Sequence, residues 1–183
     1  MDFALETEDW KKDAYLIKKS GRRNIYAYNG VIVKEINTIR WNNLNLLDYK
    51  NYQLLEKIIS GSDFERNFVK IYYENNYIIS EIVKDFDGSI SQNLLKYDGV
   101  ITENFWKILE NLLQFLIRKN IYFFDLNKGN VLVKRVSKDE IIPIFFDYKS
   151  YNKKYFLQLN LLFKSEREKK VWRRFERLKE KVN

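Results

Sequence analysis

The 183-residue chain contains no histidine and no cysteine. The absence of cysteine excludes disulfides, thiolate chemistry and cysteine-ligated metal sites. The absence of histidine excludes a Ser-His-Asp triad, a zinc site built on histidine, and general-base catalysis by histidine. Any acid–base chemistry must therefore fall to Asp, Glu, Lys or Tyr side chains.

Long apolar runs are also absent. No stretch reaches about 18 uninterrupted apolar residues, so we expect no transmembrane span. Residues 1–6 lack the basic region and apolar run of a signal peptide, and we therefore expect a cytoplasmic protein. The hydrophobic content of 45% and the aromatic content of 16% are ample for a packed core. The length predicts one domain, or two small lobes that share a cleft.

The net charge of +8 is unevenly distributed. Residues 164–183 contain nine Lys or Arg against four Glu. This pattern is typical of a solvated amphipathic helix, and it is also compatible with attraction to phosphates, anionic lipid or nucleic acid. The interleaved Glu residues argue against nucleic acid, because a face that follows phosphates should not carry four acids.

The first half of the chain alternates between strand and helix patterns. Residues 14–36 read as strands, with a hairpin signal at Asn29-Gly30. Residues 43–60 have the spacing of a helix. Two further strands are predicted at 68–73 and 77–83.

The second half is predicted to be mostly helical around one hairpin. Asp85-Phe86-Asp87-Gly88 is predicted to be a turn. Residues 102–119 form the clearest helix, with Thr102 as its cap and Asn120 in the left-handed position after its end. Ser165 and Glu168 have the spacing of a capping box for a last helix. The order of elements predicts an α+β fold, with a β-rich lobe over 1–83 and a mostly helical lobe over 84–183.

The most informative motif is an Asp-x-x-x-x-Asn spacing, Asp125 to Asn130, followed at a distance by Asp147. One apolar run, 131–133, follows Asn130, and a second, 141–146, leads directly into Asp147. Together they predict a β-hairpin, and Pro143 predicts that its second strand lies at an edge. Asp125 and Asn130 would lie before the first strand and Asp147 after the second, so all three would lie at the same end of the hairpin. Oxygen ligands that converge in this way suit Mg²⁺ and a polyphosphate.

Four segments together resemble a known family: 20–26, 31–34, 82–91 and 130–133. Over about residues 14–150 the chain is similar to protein-kinase-like proteins, and most similar to the YrbL family of PhoP regulatory network proteins. The resemblance implies a two-lobed protein-kinase-like fold, with a β-rich N-lobe and a small α-helical C-lobe. It also implies ATP and Mg²⁺ as cofactors.

The resemblance assigns a role to each of four residues. Asp125 would accept the proton of an acceptor hydroxyl, Asn130 and Asp147 would hold Mg²⁺, and Lys34 would reach the α- and β-phosphates of ATP. Each has a structural alternative: a turn aspartate, a loop-capping asparagine, a strand-ending aspartate and a solvent-facing lysine.

Five further positions are implied less directly. Asp48 is favoured over Glu56 as the carboxylate partner of Lys34. Gly21 and Arg22 lie where a glycine-rich loop would contact phosphates. The backbone of Glu81 and Val83 would meet adenine, although an ordinary turn and an ordinary strand end explain these two segments equally well.

Four departures from protein kinases bear on the expected regulation and substrate. Phe123 and Phe124 replace the His and Arg before the catalytic Asp, and Lys149 replaces the Gly of Asp-Phe-Gly. Only 36 residues follow Asp147 in this sequence, fewer than a peptide-binding subdomain needs. Gly129 resembles the loop of small-molecule and sugar kinases.

Three hypotheses follow. The leading one is a minimal phosphotransferase from ATP to a hydroxyl of a small molecule, sugar or envelope glycolipid, favoured over protein, with peripheral contact to anionic membrane or phosphorylated glycolipid. The second is a non-catalytic regulator that binds nucleotide, or nothing. The third is a basic module for nucleic acid.

Overall fold

The computed structural model describes residues 9–19, 22–37, 44–122, 125–148 and 163–182. It divides the chain into two compact units. Unit 1 comprises Met1–Gln53 and Val69–Ile82, and unit 2 comprises Leu54–Phe68 and Val83–Asn183. The expected division into lobes over 1–83 and 84–183 stays a prediction; segment 54–68 and Val83 both belong to unit 2.

Unit 1 is built on a five-stranded antiparallel sheet of order β1-β2-β3-β5-β4. The strands are β1 (Tyr15–Lys19), β2 (Arg23–Tyr28), β3 (Val31–Ile36), β4 (Ile71–Glu74) and β5 (Tyr77–Glu81). The turn between β2 and β3 has positive φ at Asn29 and Gly30, which confirms the hairpin predicted from that dipeptide. The strand predicted from Phe68 begins at Ile71, and Phe68 instead forms an isolated bridge with Phe145 in unit 2.

The two faces of this sheet differ in chemistry. On one face Trp10, from the short helix α1 (Trp10–Asp13), packs on Val31, Val33 and Ile79. The rings of Tyr26, Tyr28 and Tyr77 surround it at 5.3–5.8 Å. The opposite face receives the start of helix α2 (Leu44–Ile59). It carries the buried charged residues of unit 1.

Unit 2 contains the helix that the sequence marked most clearly, α3 (Glu103–Arg118). Thr102 Oγ1 accepts a hydrogen bond from Phe105 N at 3.3 Å, and Asn120 has φ of 59° after the helix end. Both predicted end signals are therefore confirmed. The buried face of α3 consists of Phe105, Trp106, Leu109, Leu112, Leu113, Leu116 and Ile117.

The predicted hairpin is present as β7 (Val131–Arg135) and β8 (Ile141–Phe145), and the short strand β6 (Gln92–Asn93) extends it to a sheet of order β6-β7-β8. β8 is an edge strand, as Pro143 predicted. Its edge is covered, because the buried Asn67, in the 3₁₀ helix Glu65–Asn67, donates from Nδ2 to the Pro143 carbonyl at 2.7 Å. All five residues of β8 are buried.

The last helix, α4 (Lys164–Glu180), packs on α3 through Val171, Phe175 and Leu178. The Trp106 and Phe175 rings meet edge to face at 6.2 Å. The predicted capping box is wrong, because the helix starts one residue before Ser165 and Phe163 occupies the N-cap position without a side-chain hydrogen bond. None of the helices in the described ranges is long and apolar enough to cross a membrane.

Candidate active site

The segment from Asp125 to Asn130 forms a tight turn held by its own side chains. Asn127 Nδ2 donates to Asp125 Oδ1 at 2.9 Å, and Asn127 Oδ1 accepts from Gly129 N at 2.9 Å. The backbone closes in the same place, with Asn130 N donating to the Asn127 carbonyl at 3.0 Å. Asn127 therefore fixes the Asp125 carboxylate, a role that the sequence alone did not suggest.

The Asp125 carboxylate keeps capacity for a further partner. The side chain is partly exposed, and within the described residues its Oδ2 accepts no hydrogen bond. A carboxylate that is oriented by one hydrogen bond and still has free lone pairs can accept a proton from a bound hydroxyl.

The side-chain amide of Asn130 is oriented by the same turn. Its Nδ2 donates to the Asp125 carbonyl at 3.0 Å. Because one end of the amide is used in this way, the Oδ1 end points away from that carbonyl and keeps its acceptor lone pairs. Amide and carboxylate oxygens are ligands that Mg²⁺ accepts.

Asp147 lies at the same end of the hairpin as Asn130. The register pairs Val131 at the start of β7 with Phe145 at the end of β8. Asn130 immediately precedes β7 and Asp147 comes two residues after β8, so both residues lie at this end of the hairpin. The chain beyond β8 is anchored by the buried Tyr148, which donates to the Phe145 carbonyl at 3.2 Å and faces the Phe68 ring at 6.5 Å. Asp147 is thus held between a buried strand and a buried tyrosine.

These three oxygen donors fit Mg²⁺ better than a transition metal. The chain has no Cys or His, and the described residues contain no group of three or more acidic residues that could enclose a metal ion. A magnesium site needs only one or two protein oxygens when phosphate supplies the others. Asn130 and Asp147 are the candidate ligands for such a site.

Lys34 in unit 1 is buried, at 7% exposure, near the start of α2. Asn45 in the first turn of α2 donates from Nδ2 to the Lys34 carbonyl at 2.8 Å and to the Asn76 carbonyl at 2.6 Å. The register pairs Lys34 with Ile25. Lys34 and Arg23 therefore project from the same face of the sheet, the face on which α2 lies.

Asp48 is buried one turn after Asn45 and forms an ion pair with Arg23 at 2.7 Å. Sequence reasoning did not predict this pairing. Glu56, the alternative partner of Lys34, is exposed. Burial on the α2 face favours Asp48 over Glu56, and the pairing of Asp48 with Lys34 itself stays a prediction.

The other residues predicted to contact nucleotide show no side-chain arrangement that indicates such a role. Gly21 lies outside the described residues, and Arg22 is exposed, with its carbonyl accepting from Asn37 N at 3.0 Å. Glu81 ends β5, pairs with Val31 and is exposed. The Val83 carbonyl accepts from Ser91 N at 3.0 Å.

A second group of acids in unit 2 serves the structure. Asp85 Oδ2 meets Arg135 Nε at 2.8 Å, and its Oδ1 accepts from Arg135 N at 3.0 Å and from Ser91 Oγ at 2.5 Å. Arg135 also pairs with Asp87. We call this group, Asp85, Asp87, Ser91 and Arg135, the clasp, because it ties the turn at 85–88 to the end of β7.

Comparison with known proteins agrees with this architecture. The Rio2 kinase of Chaetomium thermophilum, solved as a complex with ADP, Mg²⁺ and phosphoaspartate, is 15% identical with a TM-score of 0.56; the match covers 92% of this chain and 65% of that one. A double mutant of the PknI kinase domain of Mycobacterium tuberculosis is 11% identical with a TM-score of 0.44, over 75% of this chain and 59% of that one. The likeness to the Rio2 kinase shows that the fold is α+β and protein-kinase-like, as expected from the sequence.

Comparison with curated protein sequences found no match. A family model, described as PhoP regulatory network protein YrbL, matches residues 76–183. The matched range contains the Asp125–Asn130 turn, Asp147 and the clasp. The chain therefore belongs to the YrbL family, and it carries a kinase-like fold.

Proposed function

We propose that the protein is an ATP-dependent, Mg²⁺-assisted phosphotransferase that acts on a hydroxyl group. The observation that carries the proposal is the Asp125–Asn130 turn. In it a single residue, Asn127, orients the carboxylate, and the Asp125 carbonyl orients the amide of Asn130. A turn that served only to connect α3 with β7 would not need both side chains fixed beside Asp147.

The proposed roles follow from the chemistry of phosphoryl transfer. The acceptor oxygen bonds to the γ-phosphorus of ATP, the bond from that phosphorus to the ADP oxygen breaks, and Asp125 accepts the proton of the hydroxyl. Asn130 and Asp147 would hold Mg²⁺, which neutralises charge on the transferred phosphate. Asn127 keeps the Asp125 carboxylate in the orientation that proton transfer requires.

Unit 1 would supply the groups that bind the nucleotide. Lys34 is proposed to bind the α- and β-phosphates, with Asp48 as its carboxylate partner, and Arg22 and Gly21 to contact phosphate. The backbone at Glu81 and Val83 is proposed to meet adenine. That the similarly folded Rio2 kinase was solved with ADP and Mg²⁺ supports these ligands.

The acceptor is proposed to be a small molecule, a sugar or a glycolipid. The support comes from the turn, because Gly129 resembles the loop of small-molecule kinases. A Cβ on Gly129 would lie 3.2 Å from Asn127 Oδ1, so a larger residue would crowd the side chain that holds Asp125.

The test is nucleotide-dependent thermal melting with and without Mg²⁺. We expect ATP and Mg²⁺ together to raise the Tm more than either alone, because a ligand that binds only the folded state stabilises it. Asp147→Asn should remove the Mg²⁺-dependent part of the shift and keep the unliganded Tm. Asp139→Asn is the matched control, since Asp139 is an exposed acid in the turn at the opposite end of the same hairpin.

Two outcomes would contradict the proposal. An Asp147→Asn protein that retains the full Mg²⁺-dependent shift would remove Asp147 from the metal site. A wild-type protein that shows no shift with any nucleotide would favour a regulator that does not bind ATP.

A further inference from the structure

Two aliphatic side chains stand out of unit 2 beside the candidate active site. Leu95 is 68% exposed and Val100 is 83% exposed, in the loop that leads from β6 to α3. We call this pair the aliphatic tip. Single exposed apolar residues are common on protein surfaces, so the importance of these two depends on their neighbours.

The neighbours of the aliphatic tip include the catalytic turn and the end of α4. Leu95 N donates to the Lys128 carbonyl at 3.2 Å, and Lys128 lies inside the Asp125–Asn130 turn. The Lys128 ammonium in turn donates to the Lys181 carbonyl at the end of α4. Glu103, three residues after Val100, meets Lys179 at 3.3 Å. One end of unit 2 therefore combines the tip, the catalytic turn and the end of a basic helix.

More than half of the cations in residues 164–181 share one side of α4. Five cations follow one side of the helix at i, i+3, i+4, i+7 and i+11, and we call them the basic flank: Lys170, Arg173, Arg174, Arg177 and Lys181. Glu176 and Glu180 border this flank, three residues after Arg173 and Arg177, and Glu168 lies on the opposite side of the helix. The fourth acid, Glu166, lies in the first turn and pairs with Lys169 at 2.8 Å.

The cations of the basic flank lie close enough to act on one another. Burial lowers the pKa of Lys170, and the charges of Arg174 and Arg173 lower it further. Cations crowded in this way are stabilised by an external anion. None of the four acids lies within the basic flank itself, and Glu176 and Glu180 lie at its border.

The combination of features fits a lipid surface better than a nucleic acid. Cations beside exposed aliphatic side chains can attract anionic headgroups while the aliphatic groups enter the apolar boundary. Protein surfaces that bind single-stranded nucleic acid instead offer aromatic or planar side chains on which the bases stack. Leu95 and Val100 cannot stack in this way. Asp98, Glu103 and Glu180 oppose the lysines only in part, since four lysines outnumber the three acids at this end: Lys96, Lys128, Lys179 and Lys181.

We propose that the aliphatic tip and the basic flank dock unit 2 on a bilayer of anionic lipid. The docking is peripheral, because the apolar residues of α4 are buried against α3 and cannot enter the bilayer. It brings the Asp125–Asn130 turn to the surface of the bilayer. If the proposed function holds, on which this last step rests, the acceptor hydroxyl belongs to a lipid headgroup.

The test is sedimentation of the full chain with vesicles, in the absence of nucleotide. We expect binding to vesicles of phosphatidylglycerol and phosphatidylcholine, weakened by salt, and little binding to phosphatidylcholine alone. Replacing Leu95 and Val100 together by Ser should weaken binding roughly tenfold, because their aliphatic surface no longer leaves water. Arg173→Ala and Arg177→Ala should each weaken it about fivefold, the usual worth of one cation at an anionic surface.

Two matched controls are available in unit 2. Leu54→Ser changes an aliphatic residue that is 59% exposed on α2, and Lys138→Ala removes one exposed positive charge at the far end of the β7–β8 hairpin. Both should bind like wild type. The unliganded Tm of each variant verifies that it is folded.

The proposal is overturned if the tip and flank variants bind vesicles as well as wild type, or if phosphatidylcholine alone binds equally well. Salt-sensitive binding of a short RNA without vesicle binding, lost on substitution of the flank and not of the tip, would assign the flank to nucleic acid instead. Because no nucleotide is present, none of these results affects the proposed function. Conversely, a protein that fails the ATP melting test can still dock.

Discussion

Two acidic turns of unit 2 use their carboxylates in opposite ways. In the clasp, Asp85 accepts hydrogen bonds from the Arg135 side chain, the Arg135 backbone and Ser91. In the Asp125–Asn130 turn, the Asp125 carboxylate accepts one hydrogen bond, from Asn127, among the residues described. A carboxylate whose lone pairs are filled by the protein holds the fold, whereas one that is merely oriented can react.

The same contrast appears in the electrostatics of the clasp. Burial raises the pKa of the Asp85 carboxyl, but hydrogen bonds from Arg135 and Ser91 outweigh it and leave that pKa below its usual value. Hydrogen bonds from Ser89, with Arg135, lower the pKa of Asp87 to about 2. Both acids are therefore ionised at neutral pH, as partners of a fixed cation.

The largest expected effect on stability comes from breaking the clasp. Arg135→Ala should lower the free energy of unfolding, because it leaves the Asp85 carboxylate without its charged donor. Urea unfolding measures the loss. Arg118→Ala, which removes an arginine from the exposed end of α3, should change stability by less than about 0.5 kcal/mol. Equal losses in the two variants would mean that the clasp contributes nothing specific.

A smaller effect on stability is expected from a substitution in the Asp125–Asn130 turn. Asn127→Ala removes the hydrogen bonds to Asp125 and Gly129 and should cost about 1 kcal/mol of stability. Its effect on ATP turnover should exceed its effect on folding, because the Asp125 carboxylate loses its orientation. If turnover stayed at the wild-type rate while stability fell, Asn127 would be structural only, like the clasp.

The smallest expected effect is on thermal stability at acidic pH. Because the pKa of folded Asp85 lies below its unfolded value, this group stabilises the fold above about pH 4, and that contribution is lost as the pH falls through the lower folded value. The Tm of the wild type should therefore decline more steeply below pH 4 than that of Arg135→Ala. Parallel declines would show that Arg135 does not set the pKa of Asp85.

Features set by neighbouring residues were predictable from sequence. Thr102 and Asn120 mark the ends of α3, and Asn29-Gly30 marks a hairpin, because cap and turn geometry depend on local chemistry. Pro143 predicted the edge position of β8, because proline has no backbone N–H to donate to a neighbouring strand. The same locality explains why Asp85–Gly88 was correctly predicted to be a turn.

Features that depend on distant packing were not predictable. Arg135 lies 50 positions from Asp85, and nothing near either residue indicates the other. The Arg23–Asp48 pair depends on which residues of β2 face α2, a consequence of strand register. The start of α4 at Lys164 was missed because Ser165 and Glu168 match a capping pattern that the fold does not use.

The most direct test of the central claim is ATP consumption by Asp125→Asn, at the same ATP occupancy as wild type, first without an acceptor and then with candidate sugars and glycolipids. The substitution keeps the shape of the side chain and removes its charge. We predict nearly intact binding of ATP with Mg²⁺ and turnover about 10²- to 10⁴-fold slower, the usual worth of positioned proton transfer. Equal rates for an active wild type and the variant would contradict the account, because Asp125 would then be only a turn residue.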